Sequence, residues 1–172
     1  LKLGMQLAAQ DMTEEQREKW AYDFEDDQRL GVYLTNTLEE AEQTGQRQFG
    51  IMQTITDEAN AAAEIKRDMP IMVVLGNPPY ASSSLNRGPW IEELLDDYKE
   101  GVSEKKLNLD DDYIKFLRFA EWRIQRNGHG IVAYISNNSF LDGLGHRGMR
   151  AHLLDTFDGI LVVNLHGDSR KK

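Results

Sequence analysis

The chain contains no cysteine among its 172 residues. That excludes a disulfide scaffold, a thiolate zinc site and a cysteine nucleophile. Long apolar runs are missing too. The longest, Ile71-Met72-Val73-Val74-Leu75, falls far short of the roughly 20 residues that a membrane-spanning helix needs, so no membrane partner is expected. The opening Leu1-Lys2-Leu3-Gly4-Met5 lacks the pattern of a secretion signal and has no initiator Met. The chain reads as cytoplasmic, and as a piece of a longer protein. There is no internal repeat and no low-complexity tract. The length fits one domain, since domains run to about 100–200 residues, and such a chain can bury one sizeable core.

Positive charge is also short: 20 Lys+Arg stand against 29 Asp+Glu, a net −9. The deficit is uneven. Residues 1–76 are net −8, residues 77–127 net −2 and residues 128–172 net +1. This acidity argues against nonspecific nucleic-acid binding through a basic surface. It leaves room for a local site in the back half. An acidic front face also serves solubility.

What is present reads as helices alternating with strands. Residues 1–9 read as helical. Residues 12–19 read as a short helix with Thr13 as N-cap and Glu14 and Glu15 in its first turn. Residues 22–27 are acidic loop, and residues 30–35 (Leu-Gly-Val-Tyr-Leu-Thr) a short buried strand. Residues 39–50 are polar loop. Residues 57–67 combine strong helix formers with an acidic start and a basic end, and Pro70 stops that helix. Residues 71–76 form a continuous apolar run, expected as a strand covered on both faces. Residues 90–98 predict a helix behind Pro89. Residues 110–127 predict the clearest helix, with Asp110, Asp111 and Asp112 at its start and Gly128 at its stop. Residues 131–135 predict another two-sided strand, 149–156 a helix and 160–165 a fourth strand. Strands separated by helices make an α/β chain with a mainly parallel sheet.

In open parallel sheets ligands bind at the carboxyl ends of the strands. Those positions hold Thr35-Asn36, Asn77-Pro78-Pro79-Tyr80, Asn137-Asn138-Ser139-Phe140 and His166-Gly167-Asp168. The second set is the informative one. Gly76 allows close approach at the strand end. Asn77 follows with an amide that both accepts and donates. Pro78 and Pro79 fix φ and remove two N–H donors, which stiffens the loop. Tyr80 adds a flat face. A rigid pair of acceptors beside an aromatic ring suits a planar group bearing an NH2. The plain alternative is a proline-stiffened turn with a core tyrosine.

Asn77-Pro78-Pro79-Tyr80 resembles the catalytic motif of S-adenosylmethionine-dependent amino-methyltransferases. The flanking stretches at residues 1–6, 29–41, 58–80, 110–124, 130–142 and 146–172 are similar to the methyltransferase region of large single-chain restriction–modification enzymes, the type ISP group. The resemblance implies a partial Rossmann-like methyltransferase fold with helices on both faces of the sheet, one truncated domain over residues 1–172. It implies an adenine-N6 DNA methyltransferase that flips its target base out of double-stranded DNA. It also implies covalent linkage to nuclease, helicase and target-recognition domains. Asn77, Pro78, Pro79 and Tyr80 would be catalytic. Thr35 and Asn36 would approach the cofactor. Asn137, Asn138, Ser139 and Phe140 would lie near the target base. His146, Arg147 and Arg150, read from their own chemistry, either contact DNA phosphate or form a solvated helix start. His166 and Asp168 have no further ligands at metal spacing, so no metal is expected. Trp90 and Trp122 read as core or interface.

Departures from the family's pattern matter as well. Nothing before Leu30 offers a strand–Gly-rich loop–helix, and the acidic residue that ends the family's second strand has no counterpart here. The chain is therefore expected to hold the amine's half of the fold without most of the cofactor half, and to bind S-adenosylmethionine weakly by itself. Two other enzyme classes share the tetrapeptide, acting on a glutamine amide of release factors or on guanine-N2 of ribosomal RNA. A non-catalytic nucleic-acid-binding module is the remaining alternative.

Overall fold

The computed structural model describes residues 12–20, 31–33, 35–40, 51–103 and 109–165. The helix expected at 1–9, the loop at 22–27, most of the loop at 39–50 and His166-Gly167-Asp168 lie outside them. The chain divides into two compact units, Leu1–Val32 and Tyr33–Lys172.

In the first unit, helix α1 spans Glu14–Trp20. Thr13 caps it as expected. Its Oγ1 accepts from Gln16 N at 3.3 Å, and Gln16 Oε1 accepts from Thr13 N at 3.0 Å. Such a reciprocal cap satisfies two of the orphan donors at a helix start.

The second unit carries the remaining described elements. Helix α2 (Ile51–Asp68) is longer than the sequence suggested and ends on Lys66 and Arg67, the charge that a helix C-terminus favours. Strand β1 (Val73–Gly76) follows. Helix α3 (Pro89–Asp96) begins with Pro at its first turn and runs into a 3-10 turn, Asp97–Lys99. Helix α4 (Asp112–Gln125) is capped by the Asp111 side chain, which accepts from Tyr113 N. Gly128, at φ 76°, follows it, a backbone state glycine adopts without cost. Strand β2 (Ile131–Tyr134), the short helix α5 (Ser139–Asp142), a 3-10 turn (Leu144–His146) and helix α6 (Arg147–Thr156) complete the order.

β1 and β2 pair in parallel, with Val73 opposite Ile131 and Gly76 opposite Tyr134. The crossover between them passes through α3 and α4, which is the βαβ unit the sequence implied. Two other expected strands do not form. Residues 31–33 and 35 lie outside any strand, and residues 160–165 run without a ladder partner among the described residues. β-branched composition is a preference for a pleated, half-buried surface; without a neighbouring strand to bond it does not make a strand.

The expectation of two covered faces is also corrected. Helix α4 packs on both strands, and Val74, Val132 and Tyr134 are half-buried. Val73, Leu75 and Ile131 are 50%, 73% and 61% exposed. Strand side chains alternate faces, so one face is packed and the other open.

The core sits among the helices. Leu95, Tyr98, Leu109, Tyr113, Ile114, Met149 and Leu153 form one buried cluster, with Leu117, Phe140 and Phe157 packed against it. Gly148 allows α6 to close on the 3-10 turn, since a Cβ there would meet Tyr98 O at 2.1 Å. Charge is buried with the apolar groups. Lys115 is fully enclosed and donates to Asn86 O, Glu92 and Asp110. Arg118 and Glu121 are enclosed beside it, and Glu121 accepts from Tyr98 Oη at 2.9 Å and lies 2.9 Å from His152 Nδ1. Burial, with the Glu121 charge, pushes the Tyr98 hydroxyl well up from its ordinary pKa. Among the described residues no helix is long and apolar enough to cross a membrane.

Candidate active site at the carboxyl end of the first strand

β1 ends at Gly76, and the Tyr134 ring lies close against it. A Cβ on Gly76 would meet Tyr134 Cε1 at 3.3 Å. The close approach inferred from sequence is thus made by a side chain of the neighbouring strand. Tyr134 itself is half-buried and donates to Phe116 O at 3.3 Å, and burial pushes its hydroxyl up to about 12.

Beyond Gly76 the chain turns outward. Asn77, Pro79 and Tyr80 are exposed, and Pro78 is buried. The Tyr80 hydroxyl lies 2.9 Å from Asn77 Oδ1 and 3.2 Å from Ile135 O, and donates to them. The hydroxyl has one proton and two acceptors within reach. The corner is therefore closed on itself through its own side chains and through the end of β2. That end is held by Ile135 N, which donates to Gly76 O at 3.0 Å.

The acidic run at the start of α4 fixes the loop that leaves Tyr80. Asp111 Oδ1 accepts from Ala81 N at 3.0 Å, and Asp112 N donates to Ala81 O at 3.3 Å. Asp112 Oδ1 accepts from buried Ser84 Oγ at 2.5 Å and from Asn86 Nδ2 at 3.0 Å. Asp110 O accepts from Ser84 N at 3.1 Å. The run was read from sequence as a helix start; it is that, and it also straps down residues 81–86. Proline and these bonds together give the corner a fixed shape.

The second predicted cluster lies on the same edge. Asn137 Oδ1 accepts from Ser139 N at 2.8 Å and so closes an Asx turn ahead of α5. Asn138 Nδ2 donates to Asn164 Oδ1 at 3.3 Å. Phe140 is half-buried, with its ring 6.4 Å from that of Tyr113, and the Tyr80 ring lies 6.4 Å from the same Tyr113. The structure therefore brings Tyr80, Ser139 and Phe140 together around Tyr113, a residue that sequence reasoning assigned only to the apolar stripe of α4. A tyrosine directly after a run of capping aspartates was the signal available. Burial raises the Tyr113 pKa, opposed by its hydrogen bond to Ser139.

The remaining candidates stand apart. Asn36 spends its amide in a turn: Oδ1 accepts from Leu38 N at 3.1 Å and Nδ2 donates to Glu39 Oε1 at 2.8 Å. Thr35 is exposed beside it. Arg150 Nη1 donates to Phe140 O at 2.7 Å and Gly143 O at 2.8 Å, so it braces the α5 loop from behind. Arg147 is exposed in the first turn of α6. His146 is buried, which withdraws it from a phosphate. Trp90 and Trp122 pack edge to face at 5.0 Å. Among the described residues no three His, Asp or Glu side chains gather as metal ligands do.

The family model described as Eco57I restriction-modification methylase matches residues 2–170. No curated protein matches the chain. Solved structures similar to it include three complexes with DNA. The cryo-electron-microscopy structure of the DrdV–DNA complex is 30% identical over 62% of this chain and 11% of that one, with a TM-score of 0.51. The ATP-dependent Type ISP restriction-modification enzyme LlaBIII bound to DNA is 30% identical over 71% and 8%, with a TM-score of 0.55. A nuclease-deletion mutant of the Type ISP enzyme LlaGI with a DNA substrate mimic is 23% identical over 73% and 11%, with a TM-score of 0.58; this last likeness bears on the fold alone. The chain spans about a tenth of the length of these enzymes.

Proposed function

The chain belongs to the Eco57I restriction-modification methylase family, and from that premise we propose that it carries the amine-binding half of a DNA adenine-N6 methyltransferase. The fold would be a partial Rossmann-like one. The observation that carries this reading is the stiff corner in which exposed Asn77 and Tyr80 flank buried Pro78, set against the end of a parallel neighbour strand.

The exocyclic nitrogen of adenine donates its lone pair into the ring and is a poor nucleophile. Two acceptors on its hydrogens draw it toward tetrahedral geometry and free that pair. The Asn77 Oδ1 and the Pro78 carbonyl are the proposed acceptors. Dipoles already in position act without reorganising during the reaction. The Tyr80 hydroxyl now shares Asn77 Oδ1 and Ile135 O. Giving its proton to Ile135 O leaves Asn77 Oδ1 free for the amine. The Tyr80 ring, half exposed, is the proposed stacking face, and Asn137, Asn138, Ser139 and Phe140 the proposed wall of the base pocket. Stacking is worth about 1–3 kcal/mol per base, against the few kcal/mol needed to unstack it from the duplex.

When bound, S-adenosylmethionine supplies an electrophilic methyl on sulfur. Thr35 fits a cofactor-side role better than Asn36, because both ends of the Asn36 amide are already bonded. Arg147 stands as a proposed phosphate contact; Arg150, with Nη1 on two carbonyls, supports the pocket loop instead.

The test is made in the full-length protein with duplex DNA. Asn77→Ala should abolish methyl transfer and leave DNA affinity within about twofold, since uniform binding and transition-state contacts separate in this way. Tyr80→Ala should weaken capture of the flipped base by about 1–3 kcal/mol. Wild-type methylation by Asn77→Ala ends the proposal. A methyl group found on guanine or on a glutamine amide moves it to a different substrate.

A further inference from the structure

Tyr113 is almost wholly buried, at 1% exposure, so it cannot touch a substrate itself. Besides its place in the core cluster, it has ties that lead to the corner just described. Its backbone N–H and that of Ala81 share one acceptor, Asp111 Oδ1, at 3.4 and 3.0 Å. Ala81 is the residue after Tyr80. Its ring lies against both Tyr80 and Phe140. Its hydroxyl meets Ser139 Oγ at 3.0 Å. Ser139 is exposed and opens α5. From a single buried residue, connections thus run to the loop after β1, to the proposed stacking tyrosine and to Ser139 and Phe140 at one end of the proposed pocket wall.

We infer that Tyr113 is a positioning residue for the target base, holding the Ser139–Phe140 wall in register with Tyr80 through its hydroxyl bond to Ser139. This rests on the function proposed above. A core tyrosine serving packing alone would be replaced by phenylalanine without consequence: the ring stays, and the exposed Ser139 hydroxyl turns to water. A positioning tyrosine would not, because small misplacements at a reacting centre cost rate out of proportion to stability.

The experiment compares full-length parent, Tyr113→Phe, Ser139→Ala and the double variant. The readouts are methyl transfer, fluorescence of 2-aminopurine placed at the target adenine, and hydrogen-exchange protection of α4. Tyr113→Phe should lower kcat roughly tenfold and weaken the flipping signal, with the KM for S-adenosylmethionine and the protection of α4 unchanged. The Phe substitution should cost nothing further in the Ser139→Ala background, since coupled residues are non-additive. Tyr113→Leu should lose about a hundredfold; should it fail to fold, the Phe cycle still decides. The inference is overturned if Tyr113→Phe matches the parent in kcat and flipping, if its loss is undiminished beside Ser139→Ala, or if its loss follows a fall in α4 protection. A parent that methylates adenine alongside a silent Phe variant sinks only Tyr113. A parent that methylates no adenine amine overturns both readings.

Discussion

The seam beneath α4 and the outer face of the sheet invert the usual distribution of residue types. Between α3, α4 and α6 the protein buries Lys115, Arg118 and Glu121. On the sheet it exposes Val73, Leu75 and Ile131. The buried charges stand because each has partners within bonding distance: Arg118 reaches Leu94 O, Asp97, Glu121 and Gln125. A charge removed from water is tolerated only when paired and hydrogen-bonded. The exposed hydrocarbons stand because a two-stranded ladder with a helix on one side has a second side. Residue type therefore does not decide depth; partners and layers do. The candidate site lies where the two regions meet, its corner projecting from the sheet and its straps rooted in the start of α4.

The largest expected effect is in the seam. Glu121→Ala removes the acceptor of Tyr98 Oη and a partner of both Arg118 and His152. It should cost about 3–5 kcal/mol, the usual consequence of breaking a buried pair. Hydrogen exchange of α4 would read this, and a loss under about 1 kcal/mol would mean that water reaches the seam.

A smaller effect depends on pH. Lys66 donates to Glu39 O and lies 4.6 Å over the Trp90 ring. Burial lowers its pKa from 10.5 to about 8, with the Glu39 and Glu40 charges pulling the other way. Between those two values the folded state binds fewer protons than the unfolded, so the Lys66 contribution to stability rises with pH across that window. Below it both states are protonated and the burial cost is fully present. The difference in urea midpoint between Lys66→Met and parent should therefore shift toward the parent from about pH 7 to about pH 9.5. A difference independent of pH would show that the ammonium is fully hydrated.

The smallest effect sharpens the contrast within one carboxylate. Asp110 binds enclosed Lys115 through Oδ1 at 3.0 Å and Arg87, 63% exposed, through Oδ2 at 2.9 Å. Arg87→Ala should cost less than about 1 kcal/mol, as exposed pairs do. A thermal-shift loss as large as that of Glu121→Ala would mean that the rim is as dry as the seam.

Much of the local structure was legible in the residues. Thr13 before Glu14 and Glu15, Pro89 before Trp90, and the aspartates before Tyr113 marked helix starts, because capping and dipole chemistry act within one turn. Asn77-Pro78-Pro79-Tyr80 was legible as a rigid acceptor corner, because proline fixes its own backbone. The strand at 160–165 was misread, because its composition says nothing about whether a neighbour supplies a ladder. The inward use of Arg150 was not legible, and the central place of Tyr113 was marked only by the capping aspartates before it. Nothing in the sequence near either residue records that Phe140 O and Gly143 O meet Arg150, or that Phe140, Ser139 and Tyr80 converge on Tyr113.

The sequence by itself determined the caps that start several helices and the stiffness of the corner after β1, since these follow from bonds and torsions a few residues apart. Only the tertiary structure decided which aspartate holds which loop, which face of the sheet is covered and which buried phenol joins the two strand ends. Those outcomes depend on contacts between residues distant in the sequence, such as Ala81 with Asp111, Tyr113 with Ser139 and Tyr80 with Ile135. Their distances are set only when the whole chain packs.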